Sequence, residues 1–182
     1  EEVRALAALV AGSPAVRSEW PRRHHFGLGL ATTASRFALR LDAAYEHEGL
    51  FYDHRLNGWR SPVVQAVGAL ELSSDDPGRA LLVELFQQWL TRTPPADLLF
   101  SRRATTALGL LARRTWRERL EFELRAVAGV SPGSYLLRPQ VAWKKAALAV
   151  RLGVVLPGGE DLAYGGWFER NRSVYVMLKQ SF

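Results

Sequence analysis

Cysteine is absent from the 182 residues, and methionine occurs once. Disulfide and thiolate-metal chemistry are therefore closed to the chain, and the absence fits a secreted or envelope setting in which mispaired thiols are a hazard. Also missing is any stretch of 18 residues without a charge, which excludes a helical membrane span. If this protein meets lipid, it meets it as strands. No phosphate-binding loop, dinucleotide fingerprint, G-x-S-x-G elbow or zinc-ligand spacing occurs, and G-L-G-L at Gly27 to Leu30 fails the six-residue glycine pattern. The sequence thus names no catalytic residue, no metal site and no cofactor.

What is present is a single domain's worth of chain, 48% apolar, with a formal net charge of +6 that comes mostly from arginine. Such a balance suggests phosphate-rich partners, nucleic acid or lipopolysaccharide. Arg17, Arg22, Arg23, Arg55, Arg60, Arg92, Arg102, Arg170 and Arg172 fall in or beside expected loops rather than along one helix or patch. That distribution favours lipopolysaccharide, and nucleic acid is not expected. The chain begins E-E-V-R, with neither Met nor an apolar leader, as expected of a processed form or a piece cut from a longer chain.

Period-two alternation dominates the pattern. Arg36 to Glu46 is the clearest internal case, with Phe37, Leu39, Leu41, Ala43 and Tyr45 opposed to Ala38, Arg40, Asp42, Ala44 and Glu46. Further strands are predicted at Glu1 to Val10, His25 to Ala31, Val63 to Leu72, Arg79 to Leu90, Arg103 to Ala112, Leu120 to Val130, Tyr135 to Trp143, Ala146 to Leu156 and Arg172 to Phe182. Two stretches also satisfy a helical reading. In 76–92, Asp76 offers an N-cap and Pro77 a first helical residue ahead of Leu81, Leu82, Leu85, Phe86 and Trp89 on one stripe. In 113–128, Trp116, Leu120, Leu124 and Val127 repeat the ambiguity. Pro139 is awkward for a central strand, which loses a ladder bond there.

The last eleven residues carry a resemblance. In R-S-V-Y-V-M-L-K-Q-S-F, Val174, Val176, Leu178 and Phe182 share one parity, and Ser173, Lys179 and Ser181 the other. The segment resembles the closing strand of bacterial outer-membrane β-barrels, whose alternating C-terminus ending in Phe is read by the barrel assembly machinery. The resemblance implies an all-β fold over residues 1–182, an antiparallel transmembrane β-barrel of about ten strands or the C-terminal part of a larger one, in contact with outer-membrane lipid and lipopolysaccharide. Short links at Thr32 to Ser35, Ser73 to Gly78 and Lys144 to Lys145 would then face the periplasm. Longer loops around Trp20, Tyr52, Pro95 and Trp167, including a long one over Gly49 to Pro62, would face outward. Aromatic girdles are expected from Trp20, Tyr52, Trp59, Trp89, Tyr135, Trp167 and Phe168 on the outer side and from Phe37, Trp116, Trp143 and Phe182 on the other.

In such a barrel Arg40, Asp42, Glu46, Glu71, Glu84, Glu121, Glu123, Arg125, Arg138, Arg151 and Lys179 point into the lumen, beside small residues such as Gly27, Gly29, Gly109 and Gly153. The expected function is a non-enzymatic, porin-like or transport channel for small polar or anionic solutes. A rim hydrolase is the alternative, built from His24, His25, His47, Asp53, His54, Glu160 and Asp161. A structural or adhesive barrel acting through Gly49 to Pro62 is a third.

Overall fold

Alternating side chains build one antiparallel meander of nine strands among the described residues: β1 (His25–Ala34), β2 (Phe37–Tyr52), β3 (Gly58–Ser73), β4 (Arg79–Leu90), β5 (Ala104–Trp116), β6 (Leu120–Ser131), β7 (Ser134–Lys145), β8 (Leu148–Gly159) and β9 (Ser173–Gln180). The computed structural model describes residues 24–180 apart from 75 and 77. One turn of helix, α1 (Tyr164–Trp167), and a 3-10 turn (Glu169–Asn171) lie in the last connection. The fold is all-β. Both helical readings give way to strands, because the stripe of β4 is split by pairing: Leu82 meets Leu111 on one face, while Leu85 meets Leu108 on the other.

Closure differs from expectation. Among the described residues β1 and β9 are free edges, and the sheet is open rather than a closed barrel of about ten strands. The expected first strand, Glu1 to Val10, lies outside the described residues, as do Trp20 and Phe182.

Several connections are also displaced. Gly49 to Pro62 is mostly strand, the ends of β2 and β3 pairing as Phe51 with Trp59 and Tyr52 with Gly58, so the loop shrinks to 53–57. A bulge between Glu46 and Gly49 keeps this register. The reversals at 35–36, 117–119 and 146–147 turn on Ser35, Arg117, Glu118 and Ala146 at positive φ. None is Gly or Asn, so no residue type marked these turns. Lys144 and Lys145 consequently belong to β7. Pro139 does sit in a central strand, and the β7–β8 ladder skips Arg138 and Pro139 without losing register, because Pro139 has no N–H to give.

Large apolar side chains are exposed on one face of the sheet, while the polar face combines exposed charges (Arg40, Glu71, Glu84, Arg125, Lys179) with two buried ones. The face bearing Leu28, Leu39, Leu85, Leu108, Phe122, Leu152 and Val176 is open, with Leu28 79% and Val176 71% exposed. On the opposite, polar face Glu121 and Glu123 are each only 8% exposed. Charges on the apolar face are confined to its ends. Arg79, Arg114 and Lys145 lie at the end holding turns 35–36, 74–78, 117–119 and 146–147, while Arg60, 3.5 Å from Glu48, lies at the other.

That other end, the loop end, carries the one compact core among the described residues. Leu98, from the connection 91–103, is fully buried against Val63 and Leu90 on the polar face, with Phe51 and Trp59 packed beside them. Trp59 is therefore a packing residue of the polar face, not of the apolar face where a girdle would lie. Phe37, Trp116 and Trp143 stand exposed at the turn end of the apolar face, and Trp89 and Tyr135 at the loop end. Trp167 and Phe168 join Phe100 and Tyr164 in a cluster between the two long connections.

Candidate functional site: the sheltered ionic face

Register sets all eleven expected residues on the polar face. Arg40, Asp42 and Glu46 come from β2, Glu71 from β3, Glu84 from β4, Glu121, Glu123 and Arg125 from β6, Arg138 from β7, Arg151 from β8 and Lys179 from β9. Five of them meet in two neighbouring clusters, Glu123, Arg125 and Arg138 in one and Glu121 and Arg151 in the other. Glu123 Oε1 accepts from Arg125 Nε at 2.6 Å and from Gln140 Nε2 at 2.7 Å. Gln140 Oε1 in turn accepts from the Tyr175 hydroxyl at 2.8 Å, and Arg138 Nε donates to that hydroxyl at 3.2 Å while its guanidinium lies 5.3 Å above the ring. One row nearer the turns, Glu121 Oε2 accepts from Lys144 Nζ at 2.6 Å, and Arg151 lies 3.9 Å from its other oxygen.

These contacts match each of the two sheltered carboxyl groups to cations and hydrogen-bond donors, without which a buried polar group is strongly penalised. Arg40 and Asp42 form a separate pair at 2.6 Å. Glu71, Glu84 and Lys179 stand apart from these clusters, with no ion pair among the described residues.

Close approach of Tyr175 needs Gly153. The two residues are directly paired, and a Cβ on Gly153 would overlap the ring, so the glycine is what lets the phenol lie across β8 towards Gln140 and Arg138. Sequence reading missed Gln140, Lys144, Tyr175 and Arg113. Parity alone finds them: Gln140 and Lys144 share the parity of Arg138, and Tyr175 shares that of Lys179. Arg113 lies one residue beyond the expected end of its strand, opposite Glu123.

Signs are segregated along this face. Strands β5 to β9 contribute Arg113, Arg125, Arg138, Lys144, Arg151 and Lys179 against Glu121 and Glu123. Strands β1 to β4 contribute Asp42, Glu46, Glu71 and Glu84 against Arg40. One half of the sheet is cationic and the other acidic.

The rim candidates do not converge. Among the described residues no group of three His, Asp or Glu side chains is arranged to hold a metal. His54 Nδ1 lies 2.6 Å from Asp97 Oδ2, and Arg55 Nε donates to His54 Nε2 at 3.3 Å. Glu160 accepts from the Gly133 N–H at 2.9 Å and lies 3.5 Å from Arg102.

Asp53 pins its own turn. It accepts from the Asn57 side chain at 2.9 Å and from the backbone N–H groups of Asn57 and Arg55 at 2.8 and 2.9 Å. The Asn57 side-chain bond, aided by those N–H groups, holds the Asp53 carboxyl below its ordinary 3.8. A carboxyl depressed in the folded state stabilises the turn above its unfolded value and loses that contribution as pH falls through the folded one. The Asn57 amide resonances should therefore titrate with a midpoint below 3.8; a midpoint at or above it would show that the turn does not depend on the carboxylate.

Comparison with family models, curated proteins and solved structures yields no match.

Proposed function

We propose that the chain supplies nine strands of a bacterial outer-membrane β-barrel and works, without catalysing a reaction, as a porin-like channel for small polar or anionic solutes. The observation that carries this reading is the uneven exposure: an apolar face open on all nine strands with charges only at its two ends, backed by a polar face on which Glu121 and Glu123 are sheltered. In water so large an apolar surface would far exceed the few hundred Å² that monomeric proteins expose. In hydrocarbon it is the expected boundary, and its height fits. At about 3.3 Å per residue and a tilt of about 40°, Leu120 to Val130 rises roughly 25 Å, the thickness of the apolar band of membrane barrels. The polar pair within that band is satisfied internally, Thr106 donating to Gln87 at 2.6 Å.

Strand direction bears on closure. In a nine-strand meander the first and last strands run the same way, so an all-antiparallel barrel closes through an odd number of further strands. The free edge of β9 and its exposed Val174, Val176 and Leu178 support its reading as the strand offered to the assembly machinery. The segregated charges support passage of a solute aligned across the lumen, the carboxylate or phosphate of the solute towards β5 to β9.

Planar-bilayer recording tests this. Stepwise conductance is expected from protein that needs detergent for extraction and runs with heat-modifiable mobility. Monomeric protein that stays in solution without detergent would overturn the reading, and a membrane-inserted but silent barrel would remove the channel.

A further inference from the structure

The open face keeps its cations at the turn end, and the lumen reading gives them no task. Arg79 and Arg114 are a direct cross-strand pair on that face, and Lys145 ends β7 at the same end of the sheet. Arg79 uses Nε on Asp76 at 3.1 Å, and its two amino groups make no ion pair among the described residues. Arg114 has no ion pair among the described residues, although it is exposed. Beside them lies a hollow of about 350 Å³ lined by Leu72, Ser74, Arg79, Leu81, Arg113 and Arg114, with no acidic side chain among the described residues of its wall. The adjoining hollow, of about 630 Å³, does contain acids, Asp76 and Glu118. Cations therefore meet leucine surface in this recess, Arg79 being held by Asp76 at its edge, with the exposed indole of Trp116 close by in sequence.

We propose that this recess binds an anionic phospholipid, Arg79 and Arg114 taking the phosphate and Leu72 and Leu81 the start of an acyl chain. The chemistry selects that occupant. A paired guanidinium site matches phosphate oxygens bidentately, and a water-soluble anion would leave the leucines unused. The open face below is continuous hydrocarbon surface, along which a chain attached to the phosphate can run. The assignment rests on the membrane reading.

Lipid retention measures it. The protein is folded into vesicles of phosphatidylcholine containing phosphatidylglycerol, released in mild detergent, and its bound lipids counted by native mass spectrometry. Phosphatidylglycerol should be retained over phosphatidylcholine, with the preference falling about fivefold for either Arg79→Gln or Arg114→Gln and further in the double variant, while Arg79→Lys with Arg114→Lys keeps part of it. Equal retention of the two lipids by the wild-type protein, or a preference untouched in the double glutamine variant, overturns the proposal. So does equally tight binding of glycerol phosphate to protein in lipid-free detergent, which would make the recess a plain anion site. Failure to enter vesicles of either composition removes the membrane reading and this inference with it, whereas entry without lipid preference removes the inference alone.

Discussion

Arginine in place of Leu85 should destabilise the protein by about 2–4 kcal/mol in a bilayer, against about 0–1 kcal/mol for arginine in place of Leu148. Both residues belong to the open face, but they differ in depth. Leu85 is central in β4 and 48% exposed, whereas Leu148 begins β8 beside the turn at 146–147. If that face met water, the substitution at Leu85 would replace exposed hydrocarbon by a soluble side chain and change stability by no more than about 0.5 kcal/mol. Buried ions behave differently, so the measurement reads what the face touches and is indifferent to the fold itself. Guanidinium unfolding from vesicles supplies the comparison. A depth gradient supports hydrocarbon contact, and equal small changes at both positions would remove it.

Much of the architecture was legible because a strand's period is two residues and a face cannot change sign without changing register. Arg36 to Glu46 and Leu120 to Val130 each carry enough charge to fix their phase, and β2 and β6 follow that phase without slipping over those residues. Connections were less legible. Gly49 to Pro62 reads as a loop from its mix of aromatic and charged residues, yet the pairing of β2 with β3 extends through it, and Phe51 and Trp59 are claimed by Leu98 from a connection far away in sequence. No local pattern announces such a contact. The same is true of the network. Glu123 was recoverable by parity, but its coupling to Tyr175 depends on the absence of a side chain at Gly153, and an empty position carries no hydropathy signal. Of the rim residues, His54, Asp53 and Glu160 each make contacts within the loops, with Asp97, Asn57 and the Gly133 N–H, which their sequence positions do not announce.

Alanine at Gly166 should detach the last connection while leaving the sheet intact. The chain between β8 and β9 folds back so tightly that a Cβ on Gly166 would overlap the carbonyl oxygen of Glu160 and come within 2.8 Å of that of Gly159; one on Gly165 would overlap the Gly158 carbonyl oxygen and lie 2.6 Å from that of Tyr135. These neighbours are backbone, and no rotamer change relieves them, so the cost exceeds the about 1–3 kcal/mol of ordinary overpacking. What it opposes is local. The connection is held by the buried Ala163, by the Phe100 N–H donating to the Leu162 carbonyl at 2.7 Å, and by the contacts of Phe100 with Tyr164 and Trp167. Local opening needs only these contacts to yield, not the ladders of β8 and β9. Trypsin should therefore cut at Arg170 or Arg172 at least about tenfold faster in Gly166→Ala, since about 1.4 kcal/mol of local opening already gives that factor. Gly27→Ala, whose new Cβ would meet nothing nearer than the Ala43 carbonyl oxygen at 3.7 Å, should leave the rate unchanged. Equal resistance in the two variants would mean that the connection is not seated on these glycines. Because Tyr164 and Phe100 roof a hollow of about 290 Å³ over Phe86, Val127 and Leu136 on the sheltered face, the detached connection should also uncover the loop end of that face. In a conducting barrel this variant would pass more current than the wild-type protein, so the protease and the electrode read the same hinge independently.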